Sequence, residues 1–281
     1  MINKIFIFGA TGMLGHYIYS YFKNKIEIIN IEYRVYLENF EDLEKILVKY
    51  KIDEFTCIIN CIGQIPQRKN DKKNNIYFIV NSLFPHLLWN IAKKYNAKMI
   101  QPTTDCVFSG NKNGGNYLET DLHDEEGLYG MSKSLGEPLG CTIIRTSIIG
   151  CELLNKKSFL EWVLGSYIQG HIINGYTNHY WNGITCLEYC KVIEKIINNN
   201  LFWSGVRHIY SPYPLSKREM AINIIKTFFK VNNNDLDNII IPIRTNDTIN
   251  KTLSSIYPLD FDIPALETQI NELILFSIIN I

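Results

Sequence analysis

The sequence predicts an α/β fold with a doubly wound parallel sheet and a smaller C-terminal region. Three observations predict it. Short apolar stretches alternate with helix-period stretches as far as residue 150. The first stretch, Lys4-Ile5-Phe6-Ile7-Phe8, runs straight into a glycine turn and an apolar, aromatic helix pattern that reaches Phe22. The residues suited to chemistry then fall after the predicted strands, where sheets of this kind hold ligands.

In the turn Gly9-Ala10-Thr11-Gly12-Met13-Leu14-Gly15 the glycines stand three apart. Gly9 permits the sharp bend, Gly12 removes a Cβ from the path of a pyrophosphate, and Gly15 lets helix and strand pack closely. The helix N-terminus offers free N–H groups and partial positive charge to phosphates. Ile26–Ile31 reads as the second strand, with Asn30 at its end and Arg34 just beyond. Leu43, Ile46 and Leu47 mark one face of a helix from about Phe40 to Tyr50. Phe55–Asn60 is the third strand and leads into Cys61-Ile62-Gly63-Gln64. A polar, basic loop with Arg68, Lys69, Lys72 and Lys73 follows, then a helix over Ile76–Tyr95 that Pro85 should kink or break. The fourth strand begins at Lys98 and leads into Pro102-Thr103-Thr104-Asp105-Cys106-Val107-Phe108-Ser109-Gly110. A helix from Gly127 to Gly136 and a fifth strand over Cys141–Thr146 complete the alternation.

Beyond residue 150 the pattern is irregular. Helices are expected at Phe159–Ile168, Glu188–Asn198, Ser216–Lys230 and Ala265–Phe276, the third opened by a Ser216/Glu219 capping box. Arg207–Tyr210 reads as a strand, and the aromatic stretch from Tyr176 to Asn182 as a loop. The expected division is residues 1–150 as a dinucleotide-binding domain and 151–281 as mainly a substrate-binding region, some segments of which return to the first domain.

Composition excludes several classes. Of 281 residues, 46% are hydrophobic, enough for a large core, and 28 basic residues balance 28 acidic ones, so no global field favours nucleic acid or an anionic membrane. No apolar run is long enough to span a membrane and no secretory leader is read, so a cytoplasmic protein is expected. Seven scattered cysteines suit reduced thiols, and neither Cys186/Cys190 nor any other set suggests a metal site. His86, His123 and His171 have no sequence partners and read as surface or packing residues.

The chemistry centres on Tyr129-Gly130-Met131-Ser132-Lys133, which puts a phenol and an amine on one helix face. A phenol with an ordinary pKa near ~10 gives up its proton poorly unless its anion is stabilised, and an adjacent ammonium does that. Thr104 can supply a second hydrogen bond to the same oxygen.

This arrangement resembles the extended short-chain dehydrogenase/reductase family, and within it the dTDP-4-dehydrorhamnose reductase branch. The likeness runs through Gly9–Gly15, Ile59-Asn60-Cys61, Thr103–Gly110, Leu118-Glu119-Thr120-Asp121, Leu128–Lys133, Gly136-Glu137 and Ile144-Arg145-Thr146-Ser147. It implies an NAD(P)-binding Rossmann fold and reduction of a 4-keto-6-deoxy sugar nucleotide for surface polysaccharide. NADPH is the expected cofactor because Asn30 carries no charge against a 2′-phosphate and Arg34 can attract one; NADH stays open through Glu32. Tyr129 would give the proton, Lys133 would hold the nicotinamide ribose and lower the Tyr129 pKa, and Thr104 would orient the carbonyl. Gly9, Thr11, Gly12, Met13, Leu14, Gly15, Asn30, Arg34, Cys61, Ile62, Gly63, Thr103 and Thr146 would contact the cofactor. Gln64, Arg68, Cys106, Trp181 and Asn182 would contact the sugar nucleotide. The implied partner is that substrate alone, with a homodimer left open.

Two departures bear on the substrate: Cys106 stands where the branch has Tyr, and Asn178-His179-Tyr180-Trp181-Asn182 replaces a more acidic segment. Cys106 matches by position the epimerising cysteine of GDP-fucose synthase-like enzymes, so an epimerase or epimerase-reductase is one alternative. The second acid those enzymes use is missing from Asn155–Phe159, and a buried, inert thiol is the favoured reading. The other alternative is a non-catalytic cofactor-binding subunit, like the methionine adenosyltransferase β-subunit; intact Thr104, Tyr129 and Lys133 weigh against it.

Overall fold

The computed structural model describes residues 1–66, 75–232 and 236–280. Its first half is built from β1 (Lys4–Phe8), α1 (Met13–Phe22), β2 (Glu27–Ile31), α2 (Phe40–Lys49), β3 (Thr56–Asn60), α3 (Asn75–Phe78), α4 (Phe84–Lys94), β4 (Lys98–Thr103), α5 (Leu128–Ser134), β5 (Thr142–Arg145) and β6 (Ile148–Ile149). The second half adds α6 (Phe159–Ile168), β7 (Ile173–Tyr176), β8 (His179–Trp181), β9 (Ile184–Thr185), α7 (Cys186–Asn198), β10 (Gly205–His208), β11 (Leu215–Ser216), α8 (Lys217–Phe229), β12 (Ile240–Ile243), β13 (Ile249–Asn250) and α9 (Leu266–Asn280).

Six parallel strands form the main sheet in the order β10-β5-β4-β3-β1-β2. The strand order reverses between β1 and β3, which places a crevice beyond their carboxyl ends. β1 shows why both faces are covered. Ile5 and Ile7 join one core with α1, α7 and α9, while Phe6 and Phe8 join another with α2 and α4. β10, from the second half, extends the sheet by pairing with β5. Among the described residues, no helix is long and apolar enough to cross a membrane.

β2 ends at Ile31, as its apolar pattern gives, one residue past Asn30. Two local expectations change. His179 lies in β8, between β11 and β13, and not in a loop. Pro85 sits in the first turn of α4, where a missing N–H costs least, and the irregularity falls before it as a π turn at Ile79–Leu83. The capping box of α8 forms as read, with the Ser216 hydroxyl accepting from Glu219 N and the Glu219 carboxylate accepting from Ser216 N.

Candidate active site

The glycine turn is shaped by close contacts. Gly9 has a φ of +78°, a left-handed conformation that glycine adopts freely. A Cβ at Gly15 would stand 2.1 Å from the Gly9 carbonyl oxygen, so α1 could not start where it does with any other residue there. Gly12 caps α1, and its N–H donates to Gly9 O at 3.0 Å. These residues open onto a cavity of about 510 Å³ lined by Gly9, Thr11, Gly12, Cys61, Ile62, Gly63 and Gln64, with Tyr33–Tyr36 on one side and Glu152, Asn155 and Lys157 on another. Arg34 is at this cavity, exposed, with its guanidinium 5.6 Å from the Tyr36 ring centre.

Asn30 does not reach the cavity. It is paired with Ile7 on the edge strand, one residue before the end of β2, and does not line the cavity. Glu32 is outside the cavity too. Leu14 turns into the core beside α1, and Met13 and Gly15 shape the turn without lining the cavity. Thr103 and Thr146 are buried with hydroxyls already engaged, by Glu137 at 2.9 Å and Ser147 O at 3.2 Å.

Helix α5 brings Tyr129 and Lys133 to the crevice. Gly130 and Gly136 make this approach possible, since a Cβ would stand 2.3 Å from Cys106 O at the first and 1.7 Å from Asn81 O at the second. The Lys133 ammonium rests over Gly63, 3.2 Å from where a Cβ would be. Burial lowers its pKa to about 8, partly offset by Cys61 and Glu137. Burial raises the Tyr129 pKa, and Cys106 and Asp105 raise it further, while the facing Thr104 hydroxyl pulls it down. The Lys133 amine lies over Gly63, and the hydroxyl that pulls the phenol down is that of Thr104. Thr104 accepts from Cys106 N at 3.1 Å and donates to Asp105 at 3.2 Å.

Sequence reasoning missed Asn81, which sits in the π turn before α4 and ties three pieces together. It accepts from Gln64 N at 2.8 Å and donates to Gln64 O at 2.9 Å and to Ser132 Oγ at 3.0 Å. The loop after β3 is thereby fixed to α5 across the crevice. A lone Asn in a helix pattern carries no signal of this; only the π turn does.

Behind the site lies a buried polar network. Arg145 makes an ion pair with Glu137 at 2.7 Å and hydrogen bonds to His208 Nε2 at 3.0 Å and His123 Nε2 at 2.8 Å. His123 is therefore not partnerless; it also bonds Ser134 at 2.5 Å.

The substrate expectations are redistributed. Trp181 is 3% exposed and packs in the core, and the Asn182 amide is closed in a two-way pairing with the Leu253 backbone, both at 2.8 Å. The Asn182 amide is thereby taken up by the backbone. Arg68 lies outside the described residues. His179 is hydrogen-bonded to Thr245 at 2.9 Å and stacked on Tyr176. Cys106 does sit against Tyr129 and Asp105, its thiol pushed up to about 12 by burial and Asp105. Two cations missed by the sequence reading, Lys217 and Lys251, act on the same thiol. Among the described residues, no group of three or more His, Cys, Asp or Glu side chains could hold a metal.

Fold and site define a class: a doubly wound, NAD(P)-binding Rossmann protein of the extended short-chain dehydrogenase/reductase type. The comparisons narrow it. The model of the RmlD substrate binding domain matches residues 3–251, and the chain belongs to that family. A dTDP-4-dehydrorhamnose reductase of Aggregatibacter actinomycetemcomitans is 28% identical over 234 residues, 79% of this chain and 78% of that one. The crystal structure of dTDP-4-dehydrorhamnose reductase from Bacillus anthracis, in complex with NADP, superposes with a TM-score of 0.80 at 19% identity, covering 98% of both chains. That from Yersinia enterocolitica gives 0.77 at 22% identity, over 98% of this chain and 99% of the other. The family read from the sequence is the one returned.

Proposed function

We propose that this protein uses NADPH to reduce the ketone of a 4-keto-6-deoxy sugar nucleotide. The observation that carries the reading is that one helix, α5, sets Tyr129 against the Thr104 hydroxyl and lays the Lys133 amine over Gly63, a wall of the glycine-lined cavity. The chain fits a dinucleotide there. Gly9 and Gly12 keep the floor of the cavity free of side chains, and α1 begins directly behind them. NADPH is favoured over NADH because Arg34 edges the cavity and Asn30 and Glu32 do not. The relatives named as dTDP-4-dehydrorhamnose reductases, one of them holding NADP, support the same reading.

Bound NADPH supplies a hydride. Tyr129 keeps the proton that the ketone oxygen needs, since burial holds the phenol in its protonated form. Thr104, facing that phenol, orients the oxygen. Lys133, an ammonium at neutral pH, lies at Gly63 where the ribose would pass, and Asn81 keeps that loop in register with α5. Cys106 stays a neutral thiol and shapes the pocket beside the sugar.

The test is to follow NADPH and NADH oxidation with a panel of keto-sugar nucleotides. Turnover of a 4-keto-6-deoxy sugar with NADPH is expected. Tight NADPH binding with no turnover on any member would replace this reading with that of a cofactor-binding subunit.

A further inference from the structure

Lys217 opens helix α8, directly after the strand β11 that pairs with β8. Its ammonium lies 4.7 Å from the Phe159 ring centre and 5.5 Å from that of Trp181. The aliphatic stem and the charge are thus held in an aromatic slot. Neither ring gives the three N–H donors an acceptor in their plane. Among the described residues Lys217 has no ion pair and no hydrogen bond, unlike Lys251, which pairs with Glu125 at 3.1 Å. The charge acts on Asp105 and Cys106, the same two residues that act on Tyr129. The Lys217 Nζ is not sealed from solvent, so N–H donors that no protein group takes are open to an incoming anion, and the surrounding burial strengthens such a pairing. That anion is not the dinucleotide, whose cavity Lys217 does not line.

We propose that Lys217 binds the diphosphate of the sugar-nucleotide substrate and fixes the sugar against Tyr129. The proposal rests on the reductase reading for the identity of the ligand, and on the slot and the unsatisfied donors for the site. Lys217→Met keeps the stem in the aromatic slot and removes the charge; Lys217→Arg keeps the charge.

Calorimetric titration with thymidine diphosphate and with thymidine reads the site without turnover. The wild type should bind the diphosphate at least ~10-fold more tightly than the nucleoside, the contribution of charge-assisted hydrogen bonds. Lys217→Met should erase that preference and Lys217→Arg should restore part of it, with NADPH affinity unchanged in both. In turnover, Lys217→Met should raise KM for the keto sugar nucleotide by roughly 10- to 100-fold and move kcat by less than about 3-fold. The proposal is overturned if the wild type shows no preference for the diphosphate, or if Lys217→Met keeps it. It is also overturned if Lys217→Met lowers kcat and shifts its pH profile at constant KM, which would make Lys217 a proton donor. A Lys217-dependent diphosphate preference in a protein that reduces no keto sugar would remove the reductase reading and leave this site standing.

Discussion

Acidifying the protein from pH 7.5 to 4.5 should destabilise it through His208. This imidazole is 0% exposed, between Arg145 on one side and two carbonyls on the other. Its Nε2 must accept from Arg145 Nη1, which assigns the proton to Nδ1, donating to Ser254 O at 2.6 Å and Tyr117 O at 3.0 Å. A second proton would place N–H against N–H inside the core. Burial first, then the Arg145 charge, lower the His208 pKa from 6.5 to about 4. The unfolded chain takes up the proton near pH ~6.5, the folded one only near 4. Between these values the unfolded state holds more protons, so folded stability falls as pH falls. Linkage gives a loss of roughly 2.5 kcal/mol by pH 4.5 from this residue alone. Urea unfolding of the wild type and of His208→Asn at pH 7.5, 5.5 and 4.5 measures it. The variant should be less stable at pH 7.5, and the gap should close by roughly 2 kcal/mol or more at pH 4.5. Parallel pH curves for the two proteins would refute the reasoning, because they would mean His208 already carries its second proton in the folded state.

Two further outcomes concern the site. Gly63→Ala places a methyl 3.2 Å from the Lys133 amine, a flexible group that can move away, so the fold should survive. The displaced amine should raise KM for NADPH by roughly 10-fold, read from steady-state kinetics, since small misplacements at such sites are amplified; an unchanged KM would show that Lys133 does not work from this position. Cys106→Ser should leave the reduced product unaltered, because a thiol pushed up to about 12 is no base at neutral pH. Incubating enzyme and keto sugar in D₂O without reduced cofactor should show no deuterium uptake beside the ketone; uptake lost in Cys106→Ser would establish an epimerase-reductase.

The legible parts of this molecule are those written in local pattern. Gly9, Gly12 and Gly15 announce a turn that backbone sterics enforce, the Phe159–Ile168 helix has the bounds its pattern gives, and Ser216 and Glu219 cap α8 reciprocally. Tyr129 and Lys133 share a face because helical spacing requires it. What stayed hidden depends on contacts far apart in the chain. Asn81 meets Ser132 across 51 positions, Arg145 meets His208 across 63, and Lys217, just after the strand that pairs with β8, interacts with Asp105. Asn30, one residue before the end of β2, does not line the cavity, and Arg34 beyond the strand does. Trp181 and Asn182 were read as sugar contacts because aromatic and amide side chains suit sugars; here the Leu253 backbone takes the Asn182 amide, while Trp181 packs in the core with its ring beside the Lys217 ammonium.

The central claim is that Tyr129 delivers the proton in ketone reduction while Lys133 and the glycine turn hold the cofactor. Single-turnover NADPH oxidation by Tyr129→Phe, with cofactor affinity measured on the same sample, tests it most directly. The phenyl ring fills the same space beside Cys106 and Thr104, so NADPH should bind as in the wild type. The reduction rate should fall by ~10²–10⁴-fold, the usual contribution of a general acid. A rate within a few-fold of wild type, with NADPH bound normally, would contradict the account and assign the proton to another group.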